Sequence, residues 1–199
     1  MRVGNLDLQP GQTAQGKIEF GDIADGDPLE MPIRVVRGAD DGPTLWVNAA
    51  IHGDELEGMV GRWQVFDTIA KVRLKGTLIG AIITNVSAFQ AIRRTSPIDD
   101  LDLNRVFPGE PHGSFTRQCA CAYKYVLQSL ATHYIDLHGG GNNLDVVYYT
   151  IYRDGDGEAS RESREMAQAA GSPIVWSSRD PWLANGPFSL YSPTQESLR

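Results

Sequence analysis

His52 and Glu55 stand three residues apart in IHGDELEG, residues 51 to 58, directly after the apolar run TLWVNAA. Where a buried strand gives way to a tight turn and the first turn of a helix, an imidazole and a carboxylate at that spacing can be aimed at one point. His138, in DLHGG, follows a second strand-like stretch. His52, Glu55 and His138 together make three protein ligands with one coordination position left open, the composition of a catalytic zinc site and not of a closed structural one. Taken singly, each residue has a plainer reading. HxxE is common near helix starts, a histidine after a strand is often a hydrogen-bonded loop residue, and Asp54, Glu55 and Glu57 are acids that a helix dipole favours in its first turn.

A third segment adds a different chemistry. In AFQAIRRTSPIDDLDLNRVFPG, residues 88 to 109, Arg94, Asn104 and Arg105 could supply donors to a carboxylate and to developing negative charge. Guanidinium groups pair bidentately with carboxylates, and an amide adds a directed donor. The competing reading is a solvated loop whose arginines pair with Asp99, Asp100 and Asp102, with Asp102 orienting Arg105 or buttressing the loop.

The elements that must position these residues can be read from periodicity. Residues 1–42 are rich in Gly, Pro and Asp and carry short alternating runs, KIEF and MPIRVVRG, that predict a small β-rich lead-in. TLWVNAA predicts a buried strand, and Leu56, Met59, Val60, Trp63, Phe66 and Ala70 recur after it at helical spacing. TLIGAIITN, at 77 to 85, predicts a central strand, and the long irregular stretch from 86 to 114 is of a length more often functional than idle. A helix over roughly 114 to 131, with Phe115, Cys119, Ala122, Val126, Leu127 and Leu130 on one face, leads into the strand HYIDLH. DVVYYTIY predicts another strand, residues 158 to 170 a helix, and SPIVW a short strand. Alternating strands and helices imply an α/β fold with a mostly parallel or mixed central sheet and helices on both faces. Ligands of such sheets bind just past the carboxyl ends of the strands, where both His52 and His138 are expected.

Composition narrows the partners. A formal charge of −7 and a pI near 5.0 argue against a nucleic-acid surface or an anionic membrane. A compact anionic substrate can still be held by a few arginines. MRVGNLDLQPG does not read as a secretory signal, and no window has the length of a membrane span, so the expected compartment is the cytoplasm. Cys119 and Cys121, two apart in a helical pattern, point to different faces and suit reduced packing cysteines. The GGGNN stretch lacks the G-x-G-x-x-G spacing of a dinucleotide site and precedes a strand pattern, so its glycines are read as letting the backbone pass close to the metal centre.

Four motifs in order, HGDE at 52 to 55, NVSAF at 85 to 89, RTSPIDDLDLNRVFPG at 94 to 109 and DLHGG at 136 to 140, resemble the succinylglutamate desuccinylase and aspartoacylase family, relatives of the zinc carboxypeptidases. The resemblance implies one Zn2+ per chain on His52, Glu55 and His138, a substrate carboxylate gripped by Asn104 and Arg105, and a scissile carbonyl polarised by Arg94. The implied reaction is hydrolysis of the amide bond of a small N-acyl amino acid by a zinc-activated water. It also implies a single zinc-peptidase-like catalytic domain over 1–199, with the lead-in at 1–42, an α/β core at 43–199 and the C-terminal part of the family fold lacking. The family's general-base glutamate, set in a V-E-x-G-like strand, has no counterpart after SPIVW; Glu196 is the nearest acid, in polar surroundings, and Glu57 or Asp54 would have to serve from unexpected positions. The alternatives are a zinc metallocarboxypeptidase and a non-catalytic zinc or amino-acid binding remnant. A homo-oligomer is compatible with an interrupted sheet whose edge is exposed.

Overall fold

The computed structural model describes residues 1–22 and 26–179. Two short strands, β1 (Arg2–Val3) and β2 (Leu6–Asp7), pair with each other and precede two long ones, β3 (Thr13–Asp22) and β4 (Pro28–Arg37). The lead-in is therefore more than the short runs expected: β3 and β4 form an antiparallel ladder that is part of the main sheet. Next come β5 (Asp40–Ala49), α1 (Glu57–Ile69), β6 (Lys75–Ala81), the short α2 (Val86–Gln90), a 3₁₀ turn at Leu103–Arg105, α3 (Phe115–Leu130) and β7 (His133–Leu137). A separate pair of parallel strands, β8 (Thr150–Arg153) and β9 (Val175–Ser178), flanks α4 (Glu158–Ala169).

The five-stranded sheet has the order β3-β4-β6-β5-β7 and is mixed. β4 pairs antiparallel with β3 on one side and β6 on the other, while β5 pairs in parallel with β6 on one side and β7 on the other. From β5 the chain thus moves first to one neighbour and later to the other, which makes the carboxyl end of β5 a switch point of the kind where α/β sheets bind ligands. Alternation along the strands divides the sheet into two faces. On one, Phe66 of α1 packs on Val36 and Leu78. On the other, Ala120, Tyr123 and Leu127 of α3 pack on Ile33, Val35, Trp46 and Ile79.

Three expectations about faces and boundaries are corrected. The helical stripe of α1 does not all turn inward: Phe66 is 1% exposed, but Trp63 is 47% exposed and Leu56 and Val60 are exposed as well. Among the described residues of the helix only Phe66 is buried, the helix lying against β4, β5 and β7, and the ring of Trp63 lies instead under the Arg34 guanidinium. The strand expected over DVVYYTIY forms only from Thr150 onward; residues 144–149 are not paired in a strand, and Leu144, Val147 and Tyr148 are exposed. β9 likewise begins later than SPIVW suggests. Both cysteines are free, and burial pushes the Cys119 thiol up to about 12.

Candidate metal centre

Parallel pairing of β5 and β7 sets Asn48 beside Asp136 and Ala49 beside Leu137, so the two strands end level with each other. Whatever follows each strand therefore meets the other. After β5, Ala50 adopts a left-handed backbone (φ 52), a conformation a non-glycine residue enters at some cost, and the chain turns there into His52. The amide of Asn85 donates to the Ala50 carbonyl at 3.0 Å and that of Gly53 to the Arg93 carbonyl at 2.9 Å, tying the turn to α2 and the loop behind it. Gly53 is required by space: a Cβ there would come within 2.0 Å of the Ala88 backbone.

This turn and the end of β7 bring together His52, Glu55 and His138, whose ligand atoms all lie within 4.8 Å of one another. The Glu55 carboxylate is the hub. Its Oε1 is 2.8 Å from His52 Nδ1, and its Oε2 is 2.7 Å from His138 Nδ1 and accepts the Gly139 amide at 3.1 Å. Each imidazole has a second carboxylate on its far nitrogen: Asp102 at 3.1 Å from His52 Nε2, and Asp136 at 3.1 Å from His138 Nε2. His52 and Glu55 are buried, whereas the His138 side chain is 31% exposed, which leaves one side of the cluster open.

The electrostatics follow from this interleaving of acids and imidazoles. Burial alone would raise the Glu55 pKa, but hydrogen bonds from His138 and His52 outweigh it and hold the carboxyl far below the usual range. Asp102 and Asp136 are also held low against burial, Asp102 mainly by His52 and Asp136 mainly by His138. Burial would lower the His138 pKa, yet the charge and hydrogen bond of Asp136 push it up to about 10; His52 is raised in the same way by Asp102 and Glu55. Three donors converge, one an ionised carboxylate and two imidazoles backed by carboxylates, and that set fits a divalent cation displacing the protons on the two Nδ1 atoms.

The arginine and asparagine candidates fall around this cluster unequally. Arg94, its side chain 46% exposed, donates from Nη1 to Glu55 Oε1 at 3.2 Å and from Nε to Asp102 Oδ2 at 3.1 Å, whereas Arg93 pairs with Asp100 at 2.8 Å. Asn104 is buried in the 3₁₀ turn with its amide 3.4 Å from His138 Nε2. Arg105 is exposed and donates to the Asn104 carbonyl at 3.0 Å. Asp102 does not orient Arg105; it is shared between His52, Arg94 and the Asn104 amide. Asp99 serves α3 instead, accepting from the amide and hydroxyl of Thr116 in its first turn. Sequence reading passed over Asp136 and Asn48, although both carried a signal. Asp136 lies two residues before His138 and so shares its face of a strand, and Asn48 is a polar residue inside an otherwise apolar run. Glu196 lies outside the described residues.

Three side chains that could hold a metal ion thus stand together at the switch point of an α/β sheet. The chain belongs to the succinylglutamate desuccinylase/aspartoacylase family, whose catalytic domain it matches over residues 41–192. It is 35% identical over 146 residues to an N-alpha-acetyl-L-2,4-diaminobutyric acid deacetylase of Halomonas elongata, a match covering 73% of this chain and 42% of that protein. Its fold is similar to the product-bound structure of the ectoine utilization protein EutE (DoeB) from Ruegeria pomeroyi (TM-score 0.77, 28% identity, 94% of this chain and 58% of that one). It is also similar to a succinylglutamate desuccinylase from Silicibacter sp. TM1040 (TM-score 0.76, 28% identity, 96% and 60%). The chain thus spans less than half the length of the curated relative and under two thirds of these solved structures.

Proposed function

We propose that this chain carries the metal centre of a zinc-dependent deacylase that hydrolyses the amide bond of a small N-acyl amino acid. The observation that carries the reading is the convergence of His52, Glu55 and His138 at the level ends of β5 and β7, each imidazole backed by its own aspartate. Those three residues would hold the ion. Zinc, when bound, supplies a Lewis acid and lowers the pKa of water to about 7.

The remaining residues divide the work of binding and charge stabilisation. Arg94 lies at the rim with two of its five N–H groups engaged by Glu55 and Asp102, and this fixed guanidinium beside the cluster supports a role in stabilising an oxyanion at the scissile carbonyl. Asn104 and Arg105, adjacent on the 3₁₀ turn, would grip the substrate carboxylate. Glu55, Asp102 and Asp136 are each committed to an imidazole, so the group that moves the proton to the leaving amine is none of these three. The deacetylase relative supports a small N-acyl amino acid over a peptide, and hence a deacylase over a carboxypeptidase.

Elemental analysis of the purified chain tests the metal assignment, and parallel assays on an N-acetyl amino acid and a dipeptide test the reaction. About one zinc per chain and preference for the acyl amino acid are expected. No retained zinc sinks the metal assignment, and faster dipeptide cleavage sinks the deacylase reading.

A further inference from the structure

Behind His138 runs a buried series of hydrogen bonds whose direction is fixed at its far end. The indole nitrogen of Trp46 can only donate, and it donates to the Tyr123 oxygen at 3.0 Å. A phenol has a single proton, and Tyr123 directs its own to Asn48 Oδ1 at 2.7 Å; burial, with the negative charge of Asp136, pushes that phenol's pKa well up, so it stays a donor. The Thr84 hydroxyl donates to the same Asn48 oxygen. With its oxygen facing two donors, the Asn48 amide has to turn its NH2 group the other way, where it donates to Asp136 Oδ1 at 2.7 Å. Asp136 Oδ2 faces His138 Nε2 at 3.1 Å. A carboxylate only accepts, so Nε2 carries a hydrogen; by the same rule Nδ1, 2.7 Å from the Glu55 carboxylate, carries one too, and it is the nitrogen facing the cluster, whose hydrogen a bound cation would displace. The Asn104 amide 3.4 Å from Nε2 is a long contact that either end of the amide can make and does not set this direction.

We infer that Trp46, Tyr123 and Asn48 are positioning residues: a buried relay from β5 through α3 to β7 that locks the Asp136 carboxylate and thereby commits His138 to donate from Nε2 and offer Nδ1 to the metal. The inference rests on the zinc reading for its last step only. Asn48 is 0% exposed, and flipping its amide would set its oxygen against the Asp136 carboxylate, a contact in which neither partner has a hydrogen to give. The rings of Phe20 and Phe107 pack edge-on against Tyr123 with centroids 6.0 and 5.9 Å away, holding its hydroxyl in register with Asn48. β5 supplies both Trp46 and Asn48 and leads directly into the His52 turn.

The test compares wild type, Tyr123→Phe and Asn48→Leu, each first shown by thermal unfolding to be folded. Zinc affinity is read by competition with a chromophoric chelator, and solvent exchange of the His138 Nε2–H is read by NMR on zinc-free, 15N-histidine-labelled protein. Asn48→Leu is expected to weaken zinc binding by about 10–100-fold, Tyr123→Phe by less, and both to speed exchange of that proton. A residue that merely filled the core would change the unfolding temperature and leave the exchange rate alone. Should Asn48→Leu fail to fold, Tyr123→Phe, which keeps the ring and removes one oxygen, decides the matter. Unchanged exchange together with zinc affinity within about twofold of wild type overturns the relay. If wild type itself binds no zinc, the metal reading falls, and the relay is then judged on the exchange rate alone: faster exchange in Tyr123→Phe upholds it and unchanged exchange overturns it.

Discussion

Glu55 divides its two oxygens between two imidazoles that are three and 83 residues away in sequence. That division makes the site sensitive to single groups. Replacing His138 with Ala removes one of the three donors and is expected to reduce zinc to well below one per chain by elemental analysis. Retention of stoichiometric zinc would overturn the ligand set. Asp102 acts one bond further out, holding His52 through Nε2, and Asp102→Ala is expected to weaken zinc binding by about 10–100-fold in a chelator competition while Asp102→Asn, which keeps an acceptor, loses less. Gly53 belongs to the same scale for a steric reason. Gly53→Ala would press a methyl group into the Ala88 backbone, so α2 or the His52 turn must move, and circular dichroism with zinc titration should show weaker binding at nearly unchanged secondary structure.

At the scale of elements, the two main helices differ in what their sequences reveal. The apolar stripe of α1 was legible, but which part of it meets the sheet was not, because periodicity gives a direction around the helix and not how far along it contact extends. Phe66→Ala is therefore expected to destabilise the fold by about 3–5 kcal/mol, and Trp63→Ala by less than about 1 kcal/mol despite the larger ring, in paired denaturant titrations. Comparable losses would show that α1 is covered on its outer face. α3 depends on a cap brought from another part of the chain. Ser114 occupies the N-cap position without a side-chain cap bond, and the first-turn donors of Thr116 are satisfied by Asp99. Burial works against ionisation of Asp99, but the Thr116 hydrogen bonds prevail and depress its pKa. A depressed carboxyl contributes stability that is fully present above its unfolded pKa of about 3.9 and is lost as pH falls through the lower folded value. Asp99→Asn should thus lower stability at neutral pH and flatten the decline below about pH 4; an unchanged acid limb of the pH–stability curve would refute the cap.

For the whole molecule, the metal reading implies a coupling between ligand and stability. Only the folded sheet brings the ends of β5 and β7 level, so a cation bound there stabilises the folded state alone. Free zinc at about 100 times its dissociation constant should add about 2.7 kcal/mol, or roughly 5–10 °C in the unfolding temperature, and a chelator should reverse it. A midpoint indifferent to zinc would show that the three donors form no specific site. Among the described residues no helix is long and apolar enough to cross a membrane.

Residue spacing by itself determined which segments could do chemistry. HGDE, the arginine-rich loop and DLHGG each carry their side-chain types locally, and the strand and helix periods that flank them need no tertiary information. Spacing also placed His52 at a strand end, because an apolar run that stops at a charged turn is a local event. What only the tertiary structure decided was which residues stand between those segments. Asp136 reads in sequence as one more acid and Asn48 as an oddity in an apolar strand; they become partners only when β7 lies parallel to β5 in the register that sets them side by side. Tyr123 joins them from α3, 75 residues from Asn48. Such contacts depend on strand order, crossover and register, which are set by how the whole chain buries its apolar faces, and one-dimensional spacing does not contain them.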